Sequence, residues 1–236
     1  MNFIQPLYNQ FHNLLQLFYP PICLGCQQTV ENQSELQLLC ESCLHNLNKV
    51  PANYVREEVI GRLNPCYLDT ILTIFEFNQT VQVLIHEVKY RKAEKLASRL
   101  ARFAYRQIDI VVPWQNDNLV IPVPLFRIRE KERGFNQSVA IARGFFPESN
   151  YSLQTEVLAR AKPTLSQTEL NRNERLKNVR DAFIVSRSEL ARDKNIILVD
   201  DVVTTGATLN ECARVLKEAG AGKVWALTLA TPVEQE

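Results

Sequence analysis

Three short runs are almost uniformly apolar: Leu119 to Val123, Ile196 to Val199 and Val224 to Leu229. They are rich in leucine and β-branched side chains and too short for ordinary helices. They therefore predict strands buried on both faces of a parallel sheet. Between the last two, Leu209, Cys212, Ala213 and Leu216 recur at steps of three and four. That spacing predicts a helix from Leu209 to Ala219, with Gly220 as its left-handed stop. Strand, loop, helix, glycine and strand make one βαβ unit.

Upstream the pattern differs. Ile71, Thr73, Phe75 and Phe77 alternate with their neighbours and predict a strand over Thr70 to Phe77. From Val81 to Gln107 the period becomes helical: Leu96, Leu100 and Phe103 recur with Ala97, Ala101 and Ala104. Residues 1 to about 50 carry few periodic signals. The chain thus divides into an N-terminal segment (1–50), a hood or connecting segment (51–110) and a main domain (111–236). There is no internal repeat and no low-complexity stretch. The fold expected is α/β: a mostly parallel sheet flanked by helices, with a small N-terminal zinc-binding appendage.

A length of 236 residues suits one well-cored domain plus an appendage. The 27 basic and 26 acidic side chains nearly cancel, so no global field draws the chain toward nucleic acid or an anionic membrane. Near the N-terminus Phe3, Ile4, Leu7, Leu14, Leu15, Leu17 and Phe18 are interrupted by polar residues, which is not the pattern of a secretory signal. An amphipathic segment docked on the protein is expected there, with weak membrane-surface contact as the alternative. No run approaches the roughly 20 apolar residues of a membrane span. Six cysteines are too few to build a fold of this size from disulfides, and the cytoplasm is the expected compartment.

Four of those cysteines form two tight pairs, Cys23-Leu24-Gly25-Cys26 and Cys40-Glu41-Ser42-Cys43, with 13 residues between them. Two C-x2-C turns supply four thiolates for tetrahedral structural zinc, with a redox pair or an iron–sulfur cluster as alternatives. Four cysteines close the shell, so the site is structural, not catalytic, and stabilises a segment too small to bury its own core. His45 is then a bystander, and His12 and His86 read as structural. Cys212 reads as core, and Cys66 is unassigned.

The richest segment is Ile196-Ile197-Leu198-Val199-Asp200-Asp201-Val202-Val203-Thr204-Thr205-Gly206-Ala207-Thr208. A buried strand delivers two adjacent carboxylates to the carboxyl edge of the sheet, where open α/β folds bind ligands. Three threonines and a glycine follow at the start of a helix. Helix N-terminal N–H groups joined by hydroxyls make an anion site, which Gly206 lets the backbone approach closely. Carboxylates beside a phosphate site conflict unless the ligand offers hydroxyls to the first and phosphate to the second. A ribose 5-phosphate does both, with charge-assisted hydrogen bonds of about 1.5–3 kcal/mol each. The plain reading, a buried strand and an N-capped helix, would need only one threonine. No P-loop accompanies this strand. A dinucleotide fingerprint also fails, since Gly220 and Gly222 follow a helix and Trp225 stands at the third glycine's place.

The segment resembles the 5-phosphoribosyl-1-pyrophosphate (PRPP) motif of type I phosphoribosyltransferases without a gap. By that resemblance Asp200 and Asp201 hold the ribose hydroxyls, and Thr204, Thr205, Gly206, Ala207 and Thr208 hold the 5′-phosphate.

After Val120-Ile121-Pro122-Val123-Pro124-Leu125 come Arg127, Arg129, Lys131 and Arg133, then Gly134-Phe135-Asn136-Gln137. Basic residues alternating in a loop bounded by proline and glycine suit a pyrophosphate, which arginine grips in fork geometry. The alternative is a solvated basic loop. A later segment, with Arg160, Lys162, Pro163, Thr164, Gln167, Leu170, Arg175 and Asn178 before Ala182-Phe183, reads as a polar loop or flap.

These motifs in this order, with the cysteine pairs and Lys89-Tyr90, resemble the ComF family over nearly the whole chain. That family comprises type I phosphoribosyltransferase-like proteins associated with DNA uptake in competent bacteria. One departure is Arg91-Lys92-Ala93, where a glycine is expected after Lys89-Tyr90. The resemblance implies PRPP accompanied by Mg2+ as ligand, with single-stranded DNA and the DNA-uptake machinery as partners. A transferase would place Arg127, Arg129, Lys131 and Arg133 on the leaving-group side, with a nitrogen acceptor that nothing in the middle stretch specifies. The remaining reading is a PRPP sensor without turnover. A glutamine-using version needs a nucleophilic cysteine, often N-terminal; the start Met1-Asn2-Phe3 argues against it. A four-cysteine knuckle, with Lys89, Tyr90, Arg91 and Lys92 nearby, is compatible with nucleic-acid contact, although no extended basic-aromatic stripe is visible.

Overall fold

The structure is a computed structural model that describes residues 21–30, 36, 38–51, 53–91, 93–108, 115, 118–147, 151–163, 174 and 178–233. The expectations for the N-terminal apolar residues, His12, Lys92, Thr164, Gln167, Leu170 and Arg175 lie outside the described residues. In chain order the regular elements are α1 (Glu41–His45), β1 (Thr70–Glu76), α2 (Gln79–Tyr90), α3 (Glu94–Tyr105), β2 (Leu119–Pro122), α4 (Arg127–Arg133), α5 (Gln137–Phe145), β3 (Ser152–Leu153), β4 (Leu158–Arg160), β5 (Phe183–Val185), α6 (Ser188–Ala191), β6 (Ile196–Val202), α7 (Ala207–Glu218) and β7 (Val224–Thr231).

The main sheet has the order β1-β7-β6-β2-β3 and every pairing in it is parallel. Its central strands are apolar throughout because both faces are covered. Ile197 and Val199 point to one core with Val120 and Leu227; Ile196 and Leu198 point to the other with Ile121 and Ala226. Helices α2, α3 and α5 cover the first face and α7 the second. Helix α7 stops as expected: Gly220 has φ +93° and Ala221 N donates to Leu216 O at 3.0 Å. A separate antiparallel pair joins β4 to β5.

Two local expectations are corrected. The helical run from Val81 to Gln107 is two helices, one ending at Tyr90 and the next beginning at Glu94, and Asn78 caps the first by accepting from Val81 N at 3.0 Å. The basic segment 127–133 is helix α4, closed by Gly134 at φ +82°, and not a loop. The middle stretch also supplies the sheet itself: β1 pairs with β7, and Val50 N donates to Ile74 O at 3.0 Å, covering the far edge of β1.

Helices α3 and α5 meet closely at Gly144, where an added Cβ would lie 2.2 Å from Ser98 O and 2.7 Å from Ala101 Cβ. Gly144→Ala is expected to lower the urea midpoint, because overpacking costs about 1–3 kcal/mol against a helix-propensity gain of about 1 kcal/mol. An unchanged midpoint would mean that the two helices part freely.

Candidate functional site

Strand β2 leads through α5 to β3 on one side, and β6 leads through α7 to β7 on the other. The sheet order therefore reverses between β2 and β6, and their carboxyl ends open the crevice where parallel sheets take ligands. Asp200 and Asp201 stand at that end of β6. The Asp200 Oδ1 accepts from Ser138 Oγ and from Asp201 N, both at 2.9 Å. Asp201 is buried and ion-pairs through Oδ2 with Lys89 Nζ at the end of α2. Burial, with the Asp201 charge beside it, pushes the Asp200 carboxyl up to about 7, against the pull of the Asp201 N–H, the Ser138 hydroxyl and Lys89.

Beyond the carboxylates the chain turns through Thr204 and Thr205 to Gly206, which caps α7 at φ +74°. A shallow, open concavity is lined by Asp200 and residues 202–209. Of the expected phosphate and ribose ligands it gathers Asp200, Thr204, Thr205, Gly206, Ala207 and Thr208; Asp201 is turned to Lys89 instead. A Cβ at Gly206 would come within 2.9 Å of Val59 Cγ1 and 3.1 Å of Leu63 Cδ1, so space as well as conformation requires glycine. The same stretch is tied to α7: Tyr67 N donates to Asn210 Oδ1 at 2.7 Å, and Asn210 Nδ2 donates to Pro65 O at 2.9 Å.

The four basic residues of α4 do not share a face. Helical steps of two residues turn about 200°, so Arg127 and Lys131 fall on one side, and Arg129 and Arg133 on the other. Arg133 is half-buried, donates to Gln137 Oε1 at 2.6 Å, and lies over the Tyr90 ring at 5.9 Å. Arg127, Arg129 and Lys131 are exposed, and Arg129 pairs with Glu132 at 3.4 Å. Arg160, on β4, lies over the Phe183 ring at 5.2 Å; burial lowers its pKa, with nearby Cys212 and Asp200 opposing. Ser138 and the Val59–Leu63 backing have no local signature, because each meets the loop from a distant part of the chain. Arg133 was legible in the basic segment and Lys89-Tyr90 in the ordered motif set, but not their contacts.

The four cysteine sulfurs lie within 4.8 Å of one another, a set able to hold a metal ion. Thiolates about 2.3 Å from a tetrahedral zinc stand about 3.8 Å apart, and the Cys26 and Cys40 sulfurs are 3.7 Å apart. Backbone N–H groups of Gly25 and Cys40 point at Cys23 Sγ from 3.4 and 3.2 Å, the outer contacts that orient thiolate ligands. Burial works to raise the Cys23 thiol, yet these donors and the Cys26 N–H outweigh it and bring it to about 6. Burial and the neighbouring thiols push Cys43 up. His45 is exposed and is not in the sulfur cluster. Cys212 is buried, and Cys66 is exposed.

The Phosphoribosyl transferase domain family matches residues 91–236. Competence protein F of Haemophilus influenzae is 27% identical over 223 residues, which cover 89% of this chain and 90% of its own. DNA utilization protein YhgH of Escherichia coli O157:H7 is 31% identical over 167 residues, 66% of this chain and 70% of its own. Competence protein ComFC of Bacillus subtilis is 30% identical over 210 residues, 89% of this chain and 76% of its own. No helix among the described residues is long and apolar enough to cross a membrane.

Proposed function

Because the chain belongs to the phosphoribosyl transferase domain family, and within it to the ComF proteins, we propose that it binds PRPP at the Asp200–Thr208 loop and serves the handling of single-stranded DNA during DNA uptake. The observation that carries this reading is one concavity joining a carboxylate to the N-terminus of α7. Ribose hydroxyls donate to Asp200 and Asp201, and the 5′-phosphate accepts from the N–H groups and hydroxyls of residues 204–208. The pyrophosphate, whose charge Mg2+ would help to neutralise, faces α4. There Arg133 is the best placed of the four basic residues, because its contacts with Tyr90 and Gln137 tie it to the neighbours of both carboxylates. The knuckle holds structural zinc through Cys23, Cys26, Cys40 and Cys43, and the protein works in the cytoplasm. The DNA role is carried from the relatives named for competence and DNA utilization.

Calorimetry of PRPP with Mg2+ tests the site, on the wild type and on Asp200→Ala/Asp201→Ala. Saturable binding by the wild type and none detectable in the folded variant is the expected result. Equal binding by both would remove the loop from consideration. Adding single-stranded DNA to the same samples is expected to change the PRPP affinity; no change at saturating DNA would count against the link to uptake.

A further inference from the structure

Helix α3 turns one face to the core and lines the other with charge of a single sign. Leu96, Ala97, Leu100, Ala101, Phe103 and Ala104 are buried. Lys95, Arg99, Arg102 and the C-cap residue Arg106 are all exposed. They are spaced by four, three and four residues, so at about 100° per residue they fall within an arc of about 60°. Arg106 keeps helical backbone at φ −70° and ψ −12°, and the row therefore runs unbroken for about 16 Å.

Like charges three and four residues apart weaken a helix, a cost that a bound anion would remove. Other helices answer their cations with acids of their own. Arg214 of α7 lies between Glu211 and Glu218, at 2.6 and 2.7 Å, and Arg91 at the end of α2 pairs with Glu87 at 3.3 Å. Helix α3 contains one acid, Glu94, which pairs with Arg143 of α5 at 3.1 Å. The helix dipole suits Arg102 and Arg106 at the C-terminal end but opposes Lys95 in the first turn. The chain as a whole carries a formal charge of only +1, so this row is a local concentration and not part of a global field.

Cations at intervals of about 4.5–6 Å along a line suit a linear polyanion. Anionic lipid fits less well, because a helix on a membrane surface inserts an apolar face, and the apolar face of α3 is spent on the core. Bases find no ring to stack on along this helix: Phe103 is buried, and Tyr105 is half-buried against Phe145 and Phe146, at 6.3 and 5.9 Å. We infer that the outer face of α3 carries the sugar–phosphate backbone of single-stranded DNA, held through Lys95, Arg99, Arg102 and Arg106 without regard to sequence. This rests on the reading of the chain as a handler of single-stranded DNA. None of the four lines the concavity at Asp200, so the strand and PRPP occupy different surfaces.

Fluorescence anisotropy of a labelled oligothymidylate and of a mixed-sequence oligonucleotide of equal length, titrated with the full chain across a salt series, reads this contact. Wild type is expected to bind both alike. Lys95→Gln/Arg99→Gln/Arg102→Gln/Arg106→Gln keeps good helix formers at exposed positions. Its affinity should fall about tenfold or more at low salt, and the slope of log affinity against log salt should shrink by about 0.7 per charge removed. Arg99→Lys/Arg102→Lys/Arg106→Lys keeps the charge and should keep the wild-type slope. The urea midpoint reports folding, and Lys95→Gln/Arg102→Gln, expected to show half the change in slope, takes over if the fourfold variant unfolds. If the glutamine variants bind both oligonucleotides with the wild-type affinity and slope, the inference is overturned while the DNA reading stands. The same holds if wild type binds phosphatidylglycerol vesicles, the oligonucleotides do not compete, and the glutamine variants lose the vesicles alone. If wild type binds neither oligonucleotide, the DNA reading falls and takes the inference with it.

Discussion

With a metal bound at Cys23, Cys26, Cys40 and Cys43, a set able to hold one, its removal is expected to lower the stability of the whole protein, not merely to release the knuckle. Cys23 and Cys43 are buried in the same core as Phe75, Val81 and Leu84, so the knuckle continues the core of β1 and α2. An added Cβ at Gly25 would stand 2.8 Å from Cys43 Sγ and 3.3 Å from Thr80 Cγ2, which shows how tightly the first turn sits on the start of α2. Backbone bonds continue the attachment: Glu76 N donates to Asn48 O at 2.9 Å and Val50 N to Ile74 O at 3.0 Å. Structural zinc contributes about 10–16 kcal/mol to the folding of isolated zinc fingers, while whole domains are stable by about 5–15 kcal/mol. Even a fraction of the first figure is large against the second. Urea unfolding followed by circular dichroism, with and without a strong chelator and with metal release measured alongside, should show the midpoint falling or the transition splitting in two. Cys43→Ser should behave like the chelated wild type. A demetallated protein with an unchanged midpoint would make the knuckle an independent appendage.

That continuity was not legible in the chain, and the reason is physical. Leu36, Leu39 and Leu47 carry the knuckle into the core but recur at no fixed spacing, so neither a helical nor a strand period marks them. What could be read was local. The βαβ unit from Ile196 to Thr231 shows its period, its glycine stop and its loop chemistry within 36 consecutive residues. The cysteine pairs announce themselves by spacing alone. The basic segment misleads because prolines and a glycine bracket it, yet Arg-Ile-Arg-Glu-Lys-Glu-Arg consists mainly of good helix formers, and seven residues are enough for two turns. Partners that reach the site across the fold leave no pattern. Ser138 meets Asp200 from 62 residues away, and Lys89 meets Asp201 from the last turn of α2. A position on a helix can be read from periodicity, but the distant group it touches cannot.

The Asp200 carboxyl shows what burying two adjacent acids costs. Its ordinary value is 3.8, and burial beside Asp201 pushes it to about 7. Between those values the folded protein holds a proton that the unfolded chain has released. Stability therefore falls as pH rises through that window, and the full penalty is present above about pH 7. Each tenfold in acidity is about 1.4 kcal/mol, so the penalty at pH 8 is on the order of 2–4 kcal/mol. Asp200→Asn keeps an oxygen for Ser138 Oγ and Asp201 N to donate to, but carries no charge. It is expected to be more stable than wild type at pH 8 by about that amount, with the advantage gone near pH 4. The same change should weaken PRPP about tenfold or more, because a neutral amide is a poorer acceptor for ribose hydroxyls than a carboxylate. Binding would then restore the carboxylate by supplying those hydroxyls. Near pH 6.5 PRPP should release protons from wild type and fewer from Asp200→Asn, read by calorimetry in buffers of different ionisation enthalpy. Equal release by the two proteins, or a stability gain that does not change between pH 4 and pH 8, would mean that the Asp200 charge is not held at a cost.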